Sequence, residues 1–258
     1  MDFVVLIKQV PDLAEELEID TSGTDIARDW LTWVASEWDE YALEEAVQLR
    51  DLVGGTVTAM ALDTGSVDEL LATCLARGAD RVVKVGSFER LPDAHGAAAA
   101  FATALAGTSH DLILTGVQAV DDLDGQVGPL VGQRLGIPHV SVVNHVSVDA
   151  GTRTASVHQE YAGGIVAEFE VDLPAVLGIQ TSREAPRYAP VSRIRGLMKT
   201  ASFETAAGAA DGDGGLVVEG MAIPESGGGA EMISGTPDQV AARIAAILAE
   251  RGLTKVGA

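Results

Sequence analysis

Asp121, Asp122 and Asp124 stand beside Gly125 and Gly128 in the stretch LILTGVQAVDDLDGQVGP, residues 112–129. Carboxylates at this spacing suit a divalent cation, the hydroxyls of a ribose, or the free N–H groups that open a helix. The glycines let a ligand approach the main chain, and Gln126 offers both a donor and an acceptor. The segment QVGPLVGQRLG (126–136) reads as a helix whose first N–H groups and dipole favour an anion. The neighbouring carboxylates oppose a phosphate, whereas a cation cage needs more oxygen ligands than these side chains supply. A nucleotide site accounts for most of these features, with helix capping and a metal site as the alternatives.

A second stretch, EAPRYAPVSRIRGLMK (184–199), gathers Arg187, Arg193, Arg195 and Lys199 around Tyr188, Val191, Ile194 and Leu197. Its two prolines predict an extended chain. A positive loop with apolar tips suits docking onto a partner, and a structural crossover whose cations balance local acid is the equal alternative.

Other chemistry leaves no trace. The chain has no G-x-G-x-x-G after its first strand, no Walker-type phosphate loop, no G-x-S-x-G elbow and no H-E-x-x-H pair. Its five histidines (95, 110, 139, 145 and 158) lack the spacing of metal ligands. No nucleophile, base and orienting group come together, so the pattern is that of a binder rather than a catalyst. A formal charge of −21 argues against nucleic acid, whose phosphates require clustered cations. The single cysteine, Cys74, rules out an internal disulfide and fits a reducing compartment. No apolar run reaches the roughly 18 residues of a membrane span, and MDFVVLIKQ reads as a strand rather than a leader, so the expected location is the cytoplasm.

The elements that must hold the acidic stretch alternate along the chain. FVVLI (3–7), TVTAMAL (56–62), RVVKV (81–85) and DLILTG (111–116) read as strands buried on both faces. Between them lie helical patterns over 39–54, 67–78 and 93–107, each ending at a glycine suited to a left-handed cap. Strand and helix in alternation predict a parallel sheet with helices on both faces. After Pro138, three alternating segments predict an antiparallel extension, and AVLGIQ (175–180) returns to the buried-strand pattern. Residues 201–235 turn small and glycine-rich and read as a flexible linker. TPDQVAARIAAILAERG (236–252) then predicts an amphipathic helix, with Thr236 as N-cap and Pro237 at its first position. Such a helix on a tether must bury its stripe on its own domain or on a partner chain.

Five segments in order resemble the β subunit of electron transfer flavoproteins: VLIKQVPD (5–12), DEYALEEAVQLRD (39–51), ARGADRVVKV (76–85), TGVQAVDDLDGQVGPLVGQRLGIP (115–138) and LPAVLGIQTSREAPRYAPVSRIRGLMK (173–199). The resemblance implies a single α/β domain of the Rossmann-like, adenine-nucleotide-binding type over residues 1–200. It implies pairing with an α subunit that holds most of the FAD, and a pocket for AMP, or for the ADP part of a second FAD in electron-bifurcating members. Electrons would pass from primary dehydrogenases, such as acyl-CoA dehydrogenases, to a membrane quinone oxidoreductase or another acceptor. Carried onto this chain, the pocket uses Leu6, Lys8, backbone near Ser36, Leu62, Asp121, Asp124, Gly125, Gln126, Val127 and Gly128. Residues 184–199 become the recognition loop, with Arg187, Tyr188, Val191 and Ile194 at the docking surface and Val191 as its anchor. The helix at 236–252 would reach the α subunit.

The chain departs from the family's usual pattern at Val127, where simple members carry threonine, and the string QVGP is closer to bifurcating members. Leu13 replaces the usual Tyr, Thr or Ser, and the recognition loop reads PVSRIRG. AMP with a single flavin is the expected complement. The runner-up is a stand-alone adenine-nucleotide-binding sensor or stress-type protein, and third comes an Mg²⁺-dependent phosphoryl-transfer enzyme on the three aspartates, which lacks a neighbouring cation to neutralise transferred charge.

Overall fold

A computed structural model describes residues 1–210, 217–224 and 229–253. Residues 211–216, 225–228 and 254–258 lie outside the described residues; the first two of these fall in the glycine-rich linker. The chain divides into two compact units, Met1–Glu219 and Gly220–Ala258.

The first unit is built on one sheet. In chain order its elements are β1 (Asp2–Ile7), β2 (Gln9–Pro11), β3 (Trp33–Ala35), α1 (Glu37–Val53), β4 (Thr56–Leu62), α2 (Asp68–Ala76), β5 (Arg81–Val85), α3 (Ala94–Leu105), β6 (Leu112–Gly116) and α4 (Val127–Leu135). There follow β7 (His139–Asp149), β8 (Thr154–Tyr161), β9 (Ile165–Asp172), β10 (Ala175–Ile179), α5 (Val191–Thr200) and β11 (Glu204–Ala206). Nine of the strands form a sheet of order β11-β5-β4-β1-β6-β10-β7-β8-β9, while β2 and β3 make a small antiparallel pair of their own. Strands from β11 to β7 run parallel, and β7, β8 and β9 form the antiparallel extension that the alternating segments predict.

The period-two alternation of β1 separates two cores. Phe3, Val5 and Ile7 join Ala42, Leu43, Ala46 and Val47 of α1 and Leu70, Leu71 and Cys74 of α2 on one face. Val4 and Leu6 join Ala97, Ala100 and Phe101 of α3 and Val131 of α4 on the other. Helices therefore cover both faces, and the scarcity of aromatics is met by alanine: Ala97, Ala98 and Ala100 are buried along α3. Cys74 is one of the small core residues, its thiol pushed up to about 12 by burial and chemically inert.

Two expectations need correction. The stretch 201–235 does not begin as a linker: Glu204–Ala206 adds β11 to β5, fixed by a two-pronged Arg81–Glu204 pair at 2.9 and 2.6 Å. Sheet pairing by three residues of modest propensity, Glu-Thr-Ala, is a tertiary effect with no periodic signature. The recognition stretch is likewise not extended throughout. Pro190 is the last extended residue and caps α5, so the proline that breaks the chain on one side starts a helix on the other. Ile194 and Leu197, both half-buried, lie three apart on one face of α5, and α5 packs against α2.

The second unit contains α6 (Pro237–Glu250), which opens with the expected Thr236 cap, completed by Gln239 into a reciprocal capping box. No side chain of α6 is fully buried. No helix among the described residues is long and apolar enough to cross a membrane.

Arg187 shows what the docking stretch is anchored by. Its guanidinium donates to Glu44 Oε2 at 2.9 Å and Oε1 at 2.9 Å, and its backbone N–H donates to the same carboxylate at 3.0 Å. Burial works to raise the Glu44 carboxyl, but Arg187 and Gln48 outweigh it and hold the group below its ordinary value. Arg187 thus ties the docking stretch to α1, with its side chain still partly exposed. Removing it (Arg187→Ala) is expected to cost about 1–3 kcal/mol, towards the lower end because the guanidinium is partly exposed. Thermal unfolding should show it, at roughly 2–4 °C for each kcal/mol.

Candidate functional site

The strand order reverses between β1 and β6: the chain leaves β1 for β4 and β5 on one side, then crosses back to β6, β10 and β7 on the other. A crevice must open beyond the carboxyl ends of strands that diverge in this way, and it is where open α/β sheets bind ligands. The structure has a cleft there, partly open to solvent.

Its apolar lining includes Leu6, Leu62, Leu91, Pro92, Ala97 and Phe101. Its polar lining includes Lys8, Asp39, Thr115, Asp122, Asp124 and Gln126, the last three from the loop that leads into α4. Gly125 sits at φ +62°, and a Cβ placed there would meet the Val117 carbonyl oxygen at 2.9 Å, so a side chain at this turn is both strained and crowded. The loop therefore delivers α4 with its first N–H groups, which have no intrahelical acceptor, towards the cleft.

The three aspartates do not converge on one point. Lys8 Nζ donates to Asp121 Oδ1 at 2.7 Å and to Asp122 Oδ2 at 2.5 Å, so one cation ties two of the carboxylates to the end of β1. Burial opposes the charge on Lys8, but Asp121 and Asp122 more than offset it and hold the ammonium above its ordinary value. Asp124 stands apart, its carboxyl raised by burial and then by the charge on Asp122, with Oδ1 3.4 Å from the Gln126 N–H. Among the described residues no group of three acidic, histidine or cysteine side chains is arranged to hold a metal ion. Capping by Asp124 is at the long limit of a hydrogen bond.

Of the residues proposed from sequence for the pocket, Leu6, Lys8, Leu62, Asp124, Gly125, Gln126 and Val127 line the cleft. Asp121, Ser36 and Gly128 do not line it. Asp121 acts through Lys8. Ser36 lies buried at the start of α1, its N–H donating to the Lys8 carbonyl at 2.9 Å while its hydroxyl has no partner. Gly128 lets α4 approach the sheet: a Cβ there would lie 3.1 Å from both Thr115 Oγ1 and His139 Nε2. His139 is kept neutral by burial, its pKa pushed down to about 4.

Sequence reading passed over Asp39. It is buried in the first turn of α1, and its carboxylate accepts the Lys8 N–H at 2.7 Å and the Gly116 N–H at 2.7 Å. Those are the main-chain groups at the ends of β1 and β6, so one side chain fastens together the two strands that flank the crevice. The spacing Ser36-x-x-Asp39 resembles a capping box, which was the available signal; in the structure Asp39 reaches the two strands instead. Also unread were the apolar wall residues Leu91, Pro92, Ala97 and Phe101, which in sequence are indistinguishable from ordinary core.

Residues 25–210 match the family model for the electron transfer flavoprotein domain. The electron transfer flavoprotein subunit beta of Methylophilus methylotrophus is 33% identical, covering 97% of this chain and 98% of its own length. The chain belongs to the electron transfer flavoprotein β-subunit family. The subunit beta of Syntrophomonas wolfei is 33% identical over 81% of each chain. Protein FixA of Azorhizobium caulinodans is 31% identical, over 76% of this chain and 72% of its own. The family is one of heterodimeric electron-transport flavoproteins, and the likeness to Methylophilus methylotrophus extends through the second unit.

Asp39 gives this β-subunit fold a pH dependence. Burial raises its carboxyl to about 7, against the two N–H donors and the nearby Lys8 charge, which pull the other way. From the ordinary value near about 4 up to about 7, the folded protein holds a proton that the unfolded chain has released. Stability from this group therefore falls as pH rises through that window. Asp39→Asn has no charge to titrate, so wild-type Tm should fall relative to the variant between pH 5 and pH 7.5; parallel Tm–pH curves would remove Asp39 as the cause.

Proposed function

We propose that the chain is the β subunit of a heterodimer with an α subunit that holds most of the FAD, and that its own cleft holds AMP. In this reading the heterodimer carries electrons from primary dehydrogenases, acyl-CoA dehydrogenases among them, to a quinone oxidoreductase or another acceptor. FAD supplies the redox chemistry; the β chain binds, orients and docks. The observation that supports the nucleotide assignment is the cleft at the strand-order reversal, lined by both apolar and polar side chains.

The residues present fit an adenylate. The apolar lining of Leu6, Leu62, Leu91, Pro92, Ala97 and Phe101 suits a flat heteroaromatic base. The loop into α4 offers main-chain N–H groups at Gly125–Val127 and a helix start, which suit a phosphate. Asp122, Asp124 and Gln126 supply acceptors for ribose hydroxyls. Two of the carboxylates nearest the anion are already engaged by Lys8, which lowers their cost to a bound phosphate. Val127 favours a second reading, the ADP part of a second FAD, since its side chain has no hydroxyl to donate to a terminal phosphate.

The docking stretch contributes its exposed residues. Tyr188 is 80% exposed and Val191, the first residue of α5, is 54% exposed, as an anchor for a dehydrogenase pocket must be. Ile194 is half-buried on the same helix and supports the anchor rather than forming it.

Mass spectrometry of the small molecules released from the denatured, purified heterodimer should find AMP in equal proportion to FAD; a second FAD in its place would favour the bifurcating reading, and neither would end the nucleotide assignment. Gly125→Val should leave the heterodimer folded and yellow while lowering its nucleotide content. Val191→Ala should slow reduction by a dehydrogenase, by up to about tenfold for two methyl groups withdrawn from a buried contact, with flavin content unchanged. Unaltered kinetics in Val191→Ala would place recognition elsewhere.

A further inference from the structure

We propose that Glu45 of α1 is a positioning residue for partner docking: it fixes the root of the docking stretch at Arg183, and the fold keeps it there at a cost in stability. The inference rests on the reading of residues 184–199 as a docking surface and adds to it the group that sets how that surface is presented.

The chain leaves the sheet after β10, where the Gln180 N–H donates to the Val143 carbonyl at 2.7 Å, and enters α5 at Val191. Between these points two neighbouring acids of α1 each accept a main-chain N–H. Glu44 accepts that of Arg187 at 3.0 Å, and Glu45 accepts that of Arg183 at 3.4 Å. The Arg183 guanidinium donates to the Val146 carbonyl of β7 at 2.5 Å. Arg183 is therefore held by both α1 and β7, just ahead of the exposed Tyr188.

The two acids are satisfied to different degrees. Glu44 has both oxygens engaged by the Arg187 guanidinium, and Gln48 donates to one of them as well. Glu45 is 2% exposed, and its Oε1 has no hydrogen-bond partner among the described residues. Its bond to Arg183 lies at the long limit. Burial raises the Glu45 carboxyl; the Arg183 N–H and charge oppose this, and the Glu44 charge adds to it.

A buried carboxyl with an open oxygen is destabilising, and an apolar side chain of similar size is the better choice for folding. Position 45 has the surroundings for one, since Ala42, Leu43, Ala46 and Leu49 of the same helix belong to the core. What leucine lacks is an acceptor for the Arg183 N–H. Arg183 is exposed, so that N–H can turn to water once released, and the segment loses the tie to α1 that precedes Arg187. A docking segment that loosens must be ordered again at each encounter. That cost falls on partner binding rather than on folding.

The test uses the co-expressed heterodimer with wild-type, Glu45→Leu and Glu45→Gln β chains, the last keeping an oxygen that can accept the Arg183 N–H. A purified acyl-CoA dehydrogenase, reduced by its acyl-CoA, serves as electron donor. Glu45→Leu should unfold at the wild-type temperature or above it, with FAD content unchanged. Its amide hydrogens over 183–187 should exchange at least about fivefold faster. The KM for the heterodimer should rise at least about threefold with kcat unchanged. Glu45→Gln should bring exchange and KM back to within about twofold of wild type. A Glu45→Leu heterodimer that unfolds below wild type, or whose exchange or KM is unmoved, overturns the inference; the docking surface itself still stands, because Val191→Ala tests it separately. A wild-type heterodimer that the dehydrogenase does not reduce would instead undo the docking reading, and this inference with it.

Discussion

A single buried carboxylate holds the working end of the sheet together. Asp39 accepts one N–H from the end of β1 and one from the end of β6, each at 2.7 Å. β1 and β6 pair with each other only from Phe3–Leu112 to Val5–Leu114, so the N–H groups beyond that register, at Lys8 and Gly116, take their acceptor from α1. Left open to a ligand, these amides would attract its anionic part to the floor of the cleft. Asp39 satisfies them from within. Under the proposed adenylate reading, a phosphate would meet the free N–H groups at the start of α4 instead. Gly116 is the necessary complement, because a Cβ there would lie 2.7 Å from the Asp39 carboxylate oxygen.

The same arrangement resolves how so acidic a loop can face an anion. Asp121 and Asp122 are directed at Lys8, at the end of β1, whose own backbone N–H Asp39 accepts. The clamp fixes the backbone of Lys8; the backbone fixes the ammonium; the ammonium holds two carboxylates of the loop that leads into α4. The order of dependence runs from the floor of the cleft to its rim. Desolvation makes Asp39 a costly choice for the first link, as its raised pKa records. A neutral side chain such as asparagine offers only one acceptor, and two N–H groups at the ends of separate strands require two.

Much of this fold was legible from local pattern. Buried strands of the FVVLI and TVTAMAL type, glycine-ended helices and alternating segments after Pro138 give a parallel sheet with helices on both faces and an antiparallel extension, which is the architecture observed. The loop 121–128 was legible as well, because glycine, aspartate and glutamine at a helix start carry their chemistry in their types. What escaped was decided by tertiary position. Asp39 reads as one more acid in the first turn of a helix until β1 and β6 are placed beside it. Arg187 reads as a surface cation until Glu44 of α1 is found beneath it. Phe101 and Leu91 are core by composition and cleft wall by location, and β11 exists only because β5 offers it an edge.

The two edges of the sheet are treated differently, and the difference bears on assembly. At the β5 edge the chain returns to lay down β11, locks it with Arg81 and Glu204, and brings Gly208 against the end of β5 so closely that a Cβ would lie 2.7 Å from Val85. That edge is closed by the chain's own backbone. At the β9 edge no further strand is laid down among the described residues: β9 is longer, with Phe169 and Ile165 on one face and Glu168 and Glu170 on the other. A small domain that protects one edge with three residues could protect the other as cheaply.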